Sequence, residues 1–182
     1  MTYPQEKQPI GELLPDFSLP LLDGEVLSLQ SFLTGRKATV VMFWSSVCSH
    51  CRRYDTYVNR LPERYPGLGL LAVASRQNES AEMLCAAIAE RGLRFPMVHD
   101  AQRTVADAWL VQQTPRVFLL DPERRLIYRG AIDNFKYPED PDYAGYLDTA
   151  IDAFLVGEAP PRADTPSFGC PVKSVYYTLP KP

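Results

Sequence analysis

Ala38-Thr39-Val40-Val41-Met42-Phe43-Trp44-Ser45-Ser46-Val47-Cys48-Ser49-His50-Cys51-Arg52 is the stretch on which the reading of this chain turns. Its first seven residues form an unbroken apolar, β-branched run. Such a run suits a strand covered on both faces, as in a parallel sheet beneath helices. The polar pair Ser45-Ser46 makes a turn, and Ser49 to Arg60 reads as a helix that Pro62 ends or kinks. A buried strand, a short turn and two cysteines opening a helix form a redox arrangement. The helix amino terminus carries about half a positive charge and unpaired N–H groups. Both favour the Cys48 thiolate and lower its pKa into the range of roughly 3.5–7.5 found at such sites. Cys51 falls one helical turn on, close enough to attack a mixed disulfide made by Cys48. Cys48 is thus the expected nucleophile and Cys51 the resolving thiol. A protonated His50 beside the sulfur favours the thiolate further and makes the disulfide more oxidising.

Working outward, residues 1–36 are rich in proline and glycine, and Asp16–Leu21 with Val26–Leu29 read as a strand pair around Leu22-Asp23-Gly24. After the cysteines comes a second apolar strand, Leu68 to Ala74. An Ala-rich helix from Ser80 to Arg91 follows, stopped by Gly92. Phe95 to Val98 is a short strand, Thr104 to Leu110 a short helix, and Arg116–Leu120 with Arg125–Arg129 a hairpin around Asp121-Pro122-Glu123-Arg124. An amphipathic helix closes the series from about Tyr143 to Val156. Alternating strands and helices followed by a hairpin imply an α/β domain, a central mixed sheet between helix layers. It is expected over residues 10–157, and residues 158–182, with six prolines, form a tail carrying Cys170 that wraps the surface or is partly disordered.

Composition narrows the class. The chain has 182 residues, 46% of them apolar, and a formal charge of −3. Wholesale disorder is excluded, and so is a nucleic-acid binder led by phosphate contacts. No apolar run approaches the roughly 20 residues of a membrane helix. The first residues lack the basic-then-apolar pattern of a leader, so a cytoplasmic location is expected, with a trimmed exported form left open. Four cysteines are too few for a disulfide-stapled scaffold. A structural zinc site lacks a second CxxC or an HxxxH, since the chain has only two histidines.

Phe43 to Arg52 resembles the active-site segment of the thioredoxin superfamily, and Val105 to Asp121, with Thr114-Pro115 inside it, resembles that superfamily's cis-proline region. Leu14-Pro15-Asp16-Phe17-Ser18-Leu19-Pro20 is similar to the opening of the redoxin branch, which holds peroxiredoxins and TlpA-like proteins, and Ala72 to Asp100 matches its inserted helix and strand. Ile127 to Asn134 and Gly169-Cys170-Pro171-Val172-Lys173 are similar to a peroxiredoxin-like group. The resemblance implies a thioredoxin fold with an N-terminal hairpin, the insert and a C-terminal tail. It implies a thiol-disulfide oxidoreductase acting on protein substrates, supplied with electrons by another dithiol protein, needing no bound cofactor, and monomeric or weakly dimeric. Trp44, Thr114 and Pro115 are the implied substrate-binding residues, with a cis Thr114–Pro115 peptide facing the cysteines.

The chain also departs from that pattern. Met42 stands where thioredoxins have a buried aspartate, and Tyr54 where TlpA-like proteins often have glutamate. Asp55 is a substitute for the missing acid or, preferably, a solvated helix residue. For a peroxidase, the alternative activity, Ser45 keeps the hydroxyl of the expected threonine, but Val41 replaces the proline and no arginine is assignable. Cys170 is a candidate third redox thiol, or joins Cys48 and Cys51 around a soft metal such as Cu(I) in a non-catalytic module. Cys85 reads as a buried small hydrophobe, His99 as a loop residue, and Tyr176 and Tyr177 as docking groups.

Overall fold

A computed structural model describes residues 8–173. The expectation for Tyr176 and Tyr177 lies outside them. In chain order the elements are β1 (Ser18–Pro20), β2 (Val26–Ser28), α1 (Leu29–Leu33), β3 (Ala38–Trp44), α2 (Ser49–Arg53), α3 (Asp55–Arg64), β4 (Leu68–Ala74) and α4 (Ala81–Arg91). They continue as β5 (Met97–His99), α5 (Thr104–Ala108), β6 (Gln113–Thr114), β7 (Arg116–Leu120), β8 (Leu126–Gly130), α6 (Tyr146–Leu155) and β9 (Cys170–Pro171).

The central sheet runs β5-β4-β3-β7-β8. β3 lies parallel to β4 in unbroken register from Ala38↔Leu68 to Trp44↔Ala74, and antiparallel to β7. Every residue of β3 and β4 is buried, because alternate side chains serve two cores. Val40, Met42 and Trp44 pack in one layer with Val58 and Leu61 of α3, Leu84 of α4, and Leu147 and Ile151 of α6. Val41 and Phe43 point the other way, towards Leu29 and Leu33 of α1 and Val105 of α5. Each such side chain contributes about 1.5–3 kcal/mol by leaving water. The expected mixed sheet between helices is therefore present, and β3 delivers its carboxyl end, Trp44, to the cysteine turn. No helix among the described residues is long and apolar enough to cross a membrane.

Three local expectations change. The helix after the cysteines is two helices, because Tyr54 (φ −101°, ψ 3°) leaves the helical track and its N–H turns back to Cys51 and Arg52 carbonyls. α3 then continues through Pro62, which costs only the bond that a proline cannot donate to the Val58 carbonyl. Cys85 is exposed rather than buried. The inward stripe of α4 is Leu84 and Ala87, and position 85 is turned about 100° from Leu84. The caps of α4 behave as the sequence suggests: Ser80 Oγ accepts the Met83 N–H, and Gly92 adopts the left-handed conformation at φ 60°.

The tail wraps the surface as far as it is described. Arg129 N–H donates to Ala163 O and Thr165 N–H to Arg129 O, so the segment runs alongside β8. Arg129 pairs with Asp164 at 2.8 Å, and the Tyr128 hydroxyl lies 2.7 Å from Thr165 Oγ1. Gly130, at φ 148°, makes this approach possible: a Cβ there would meet Thr165 Oγ1 at 2.0 Å. Gly157 also has positive φ, at 81°, but nothing lies within 4 Å of its added Cβ. Gly157→Ala should cost about 1–2 kcal/mol from backbone conformation alone, and Gly130→Ala at least about 2 kcal/mol more because Thr165 must also move. Urea unfolding midpoints of the two variants check this; equal losses would mean that the tail does not press on β8.

Candidate active site

The turn leaving β3 makes Cys48 the N-cap of α2. Its backbone is extended (φ −86°, ψ 112°), and its sulfur takes the place a cap oxygen normally fills, accepting the Cys51 N–H at 3.4 Å. The Cys48 N–H bonds Ser45 O at 3.3 Å, tightening the turn. Opposite lies β6, whose Thr114–Pro115 peptide is cis, as expected. Thr114 is fully buried, and its carbonyl oxygen is 3.2 Å from Cys48 Sγ. β9 lies antiparallel to β6 with Cys170 opposite Thr114 and Pro171 opposite Gln113.

These contacts separate the two sulfurs chemically. The Cys48 pKa is lowered to about 4, chiefly because the Cys51 thiol donates to its sulfur. Burial opposes the charge, but the Cys170 thiol, the Thr114 side chain and the Cys51 N–H add further donors. The Thr114 carbonyl is an acceptor and favours the protonated sulfur; four donors outweigh it. Cys51 is pushed well above the ordinary thiol range by burial and by the adjacent Cys48 charge. Cys48 is therefore the anion and Cys51 the held proton. The unpaired N–H expected at the helix start is among these donors: Cys51 N–H of α2 bonds the Cys48 sulfur, alongside the side-chain hydrogen bonds.

Two side chains that the sequence did not single out hold the turn. Glu79 is 6% exposed, and its Oε1 accepts both the backbone N–H and the hydroxyl of Ser46. Arg91 donates to Ser46 O at 3.0 Å, lies 4.6 Å above the Trp44 ring and forms a two-pronged pair with Asp55 at 2.6 and 2.7 Å. Both peptide groups of the turn are thus fastened from α4 and the loop before it. Nothing in the local sequence marks them: Glu79 stands just before the Ser80 cap and Arg91 is the last residue of α4. Asp55, read as solvated, is instead held in this pair with a side chain 14% exposed.

The remaining expectations divide. Thr114 and Pro115 stand beside the cysteines, and Cys170 joins them. Trp44 is fully buried, so it supports the turn from beneath and offers no surface to a substrate. His50 packs its ring on Phe135, 5.2 Å between centroids, and the main influences on Cys48 do not include it. Met42 is core. Tyr54 donates to buried Asp133 at 2.5 Å, giving an acid near α2 from an unforeseen segment. Ser45 is buried, its hydroxyl unpaired among the described residues. The main influences on Cys48 are the Cys51, Cys170 and Thr114 groups and its own burial. Among the described residues no group of three or more His, Cys, Asp or Glu side chains is arranged to hold a metal ion.

Known proteins resemble this chain at both levels. A thiol-disulfide oxidoreductase ResA of Bacillus thuringiensis (strain Al Hakam) is 27% identical over 123 residues, covering 68% of this chain and 70% of that protein. The crystal structure of a hypothetical protein from Sinorhizobium meliloti 1021 superposes with a TM-score of 0.81 at 30% identity, covering 93% of this chain and 96% of that one. The thioredoxin domain of a thiol-disulfide oxidoreductase from Bacteroides vulgatus gives a TM-score of 0.60 at 23% identity, covering 68% and 89%. The fold is accordingly that of thioredoxin. The AhpC/TSA family model matches residues 10–129, a span that takes in the hairpin, the cysteine turn, the insert and the cis-proline, and the chain belongs to that family.

Proposed function

We propose that this protein exchanges its Cys48–Cys51 dithiol or disulfide with the disulfides and thiols of protein substrates. The observation that carries the reading is the opposed acidity of two sulfurs one helical turn apart. The Cys48 thiolate attacks a substrate disulfide; the S–S bond breaks, and one substrate sulfur leaves as a thiol after taking a proton. The product is a mixed disulfide at Cys48, which no longer carries a charge. One of the causes that hold the Cys51 proton disappears with that charge. The Cys51 thiolate then attacks Cys48 Sγ, expels the second substrate thiol and leaves Cys48–Cys51 oxidised, an electron pair having passed to the substrate. A second dithiol protein returns the pair by the reverse steps.

The surroundings suit an extended peptide. β6, which carries Thr114, pairs along its edge with the extended backbone of β9, and a substrate strand would take that place; Val47, Phe135 and Phe168 are exposed apolar side chains on the segments around it. The ResA relatives, named as thiol-disulfide oxidoreductases, support the reaction class.

Cys48→Ser should lower disulfide reduction by at least roughly 10³-fold, measured as thiol release from a protein disulfide; activity retained by the variant would remove the nucleophile assignment. The pH dependence has a definite sign. Because the Cys48 pKa is lowered, its thiolate is present throughout the neutral range and is lost only as pH falls through about 4. Iodoacetamide alkylation of Cys48 should therefore stay level across neutral pH and halve near pH 4, whereas an ordinary thiol rises through about 8.5. A profile centred at the ordinary value would contradict the site geometry.

A further inference from the structure

Cys48 is only 1% exposed, an odd condition for a sulfur that must meet other proteins. What covers it is the chain's own tail. β9 occupies the edge of β6 that a substrate strand would need, with Cys170 opposite Thr114. Cys170 packs against the buried cluster that holds Cys48 and Cys51, and the Cys48 and Cys170 thiols shift each other's acidity in opposite directions. Anchors lie on both sides of it. Arg116 and Gln113 bond Ser167 Oγ at 2.8 and 2.9 Å, while Val172 is buried and exchanges backbone bonds with Gln112 and Gln77. Gly169 is set so closely that a Cβ would lie 1.8 Å from the Thr114 carbonyl oxygen. Six residues of tail are thus fitted to the site with a cysteine delivered to the nucleophile.

We propose that Cys170 is a third redox thiol and that residues 167–172 act as an intramolecular substrate, forming a Cys48–Cys170 disulfide in exchange with Cys48–Cys51. This rests on the exchange chemistry above. Starting from the Cys48–Cys51 disulfide, Cys170 loses its proton and attacks Cys48 Sγ; the Cys48–Cys51 bond breaks as the Cys48–Cys170 bond forms, and Cys51 leaves and takes up a proton. No electrons are gained or lost overall. The oxidised sulfur pair is thereby moved from Cys51, which is 1% exposed, to half-buried Cys170, where an external dithiol can reach it. Attack on Cys170 Sγ then releases the Cys48 thiolate and places the tail in a mixed disulfide with the reductant, whose second thiol frees it.

The test uses full-length Cys51→Ser, Cys51→Ser/Cys170→Ser and Cys51→Ser/Gly169→Ala proteins, each treated with glutathione disulfide and mapped by mass spectrometry without reduction. The first should yield a Cys48–Cys170 peptide pair and little Cys48–glutathione adduct. The second should keep the adduct, at least tenfold above the first. The third retains Cys170 but not its fit against Thr114, and should behave like the second. Equal, persistent adduct in all three would overturn the tail's redox role and leave the exchange reading intact. Absence of any modification at Cys48 in all three would overturn the exchange reading and this proposal with it.

Discussion

Everything at this site depends on keeping a negative charge on a sulfur that water scarcely touches. Removing an anion from water costs several kcal/mol even after the surroundings relax, so a sulfur 1% exposed ionises only where donors replace the lost water. Those donors come from three separate places: the Cys51 thiol and N–H in α2, the Thr114 side chain in β6 and the Cys170 thiol in β9. No one segment builds the site. Its chemistry requires the sheet to bring the end of β3 beside β6, and requires the tail to return across the chain's whole length.

Such convergence is useful only if the turn carrying Cys48 cannot shift, and the polar residues around it serve that end. Ser46 gives its N–H and hydroxyl to Glu79 and its carbonyl to Arg91. Arg91 is in turn fixed by Asp55 and by the Trp44 ring. The pair is largely buried, its side chains 4% and 14% exposed, so removing either partner would strand a charge. The break at Tyr54 fits the same scheme: ending α2 there frees Asp55 to begin α3 facing Arg91, and frees the Tyr54 hydroxyl to reach Asp133.

How much of this was legible follows from the range of each interaction. β3 and β4 were readable because seven consecutive buried residues have no other comfortable state, and α4 because Ser80 and Gly92 act within a few residues of themselves. Cys48 and Cys51 were readable as a pair, being separated by a single turn. The contacts that complete the site are long-range in sequence: Ser46 with Glu79 spans 33 residues, and Tyr54 with Asp133 spans 79. No local pattern announces them. Cys85 was misread for the opposite reason, since in an Ala-rich helix the apolar stripe is nearly invisible and one position decides between core and solvent. The tail was the largest gap: its prolines suppress periodicity, and its docking on Thr114 is carried by a glycine whose only signature is the absence of a side chain.

The burial of the three thiols sets which disulfide bonds can be opened, and from which side. Exchange is fastest when the departing sulfur is a stable thiolate and the attacked sulfur is accessible. In a Cys48–Cys51 disulfide neither sulfur is open to an outside thiol, both being 1% exposed. Attack on Cys48 would also expel Cys51, whose thiolate burial disfavours, whereas attack on Cys51 would expel the acidic Cys48. A disulfide between Cys48 and Cys170 removes the obstacle, because the half-buried sulfur of Cys170 is the one an outside thiol can reach and Cys48 is the better leaving group. A tail sulfur that donates a hydrogen bond to the nucleophile in the reduced protein is therefore also placed to make the oxidised protein reducible, and both roles follow from the same antiparallel pairing with Thr114.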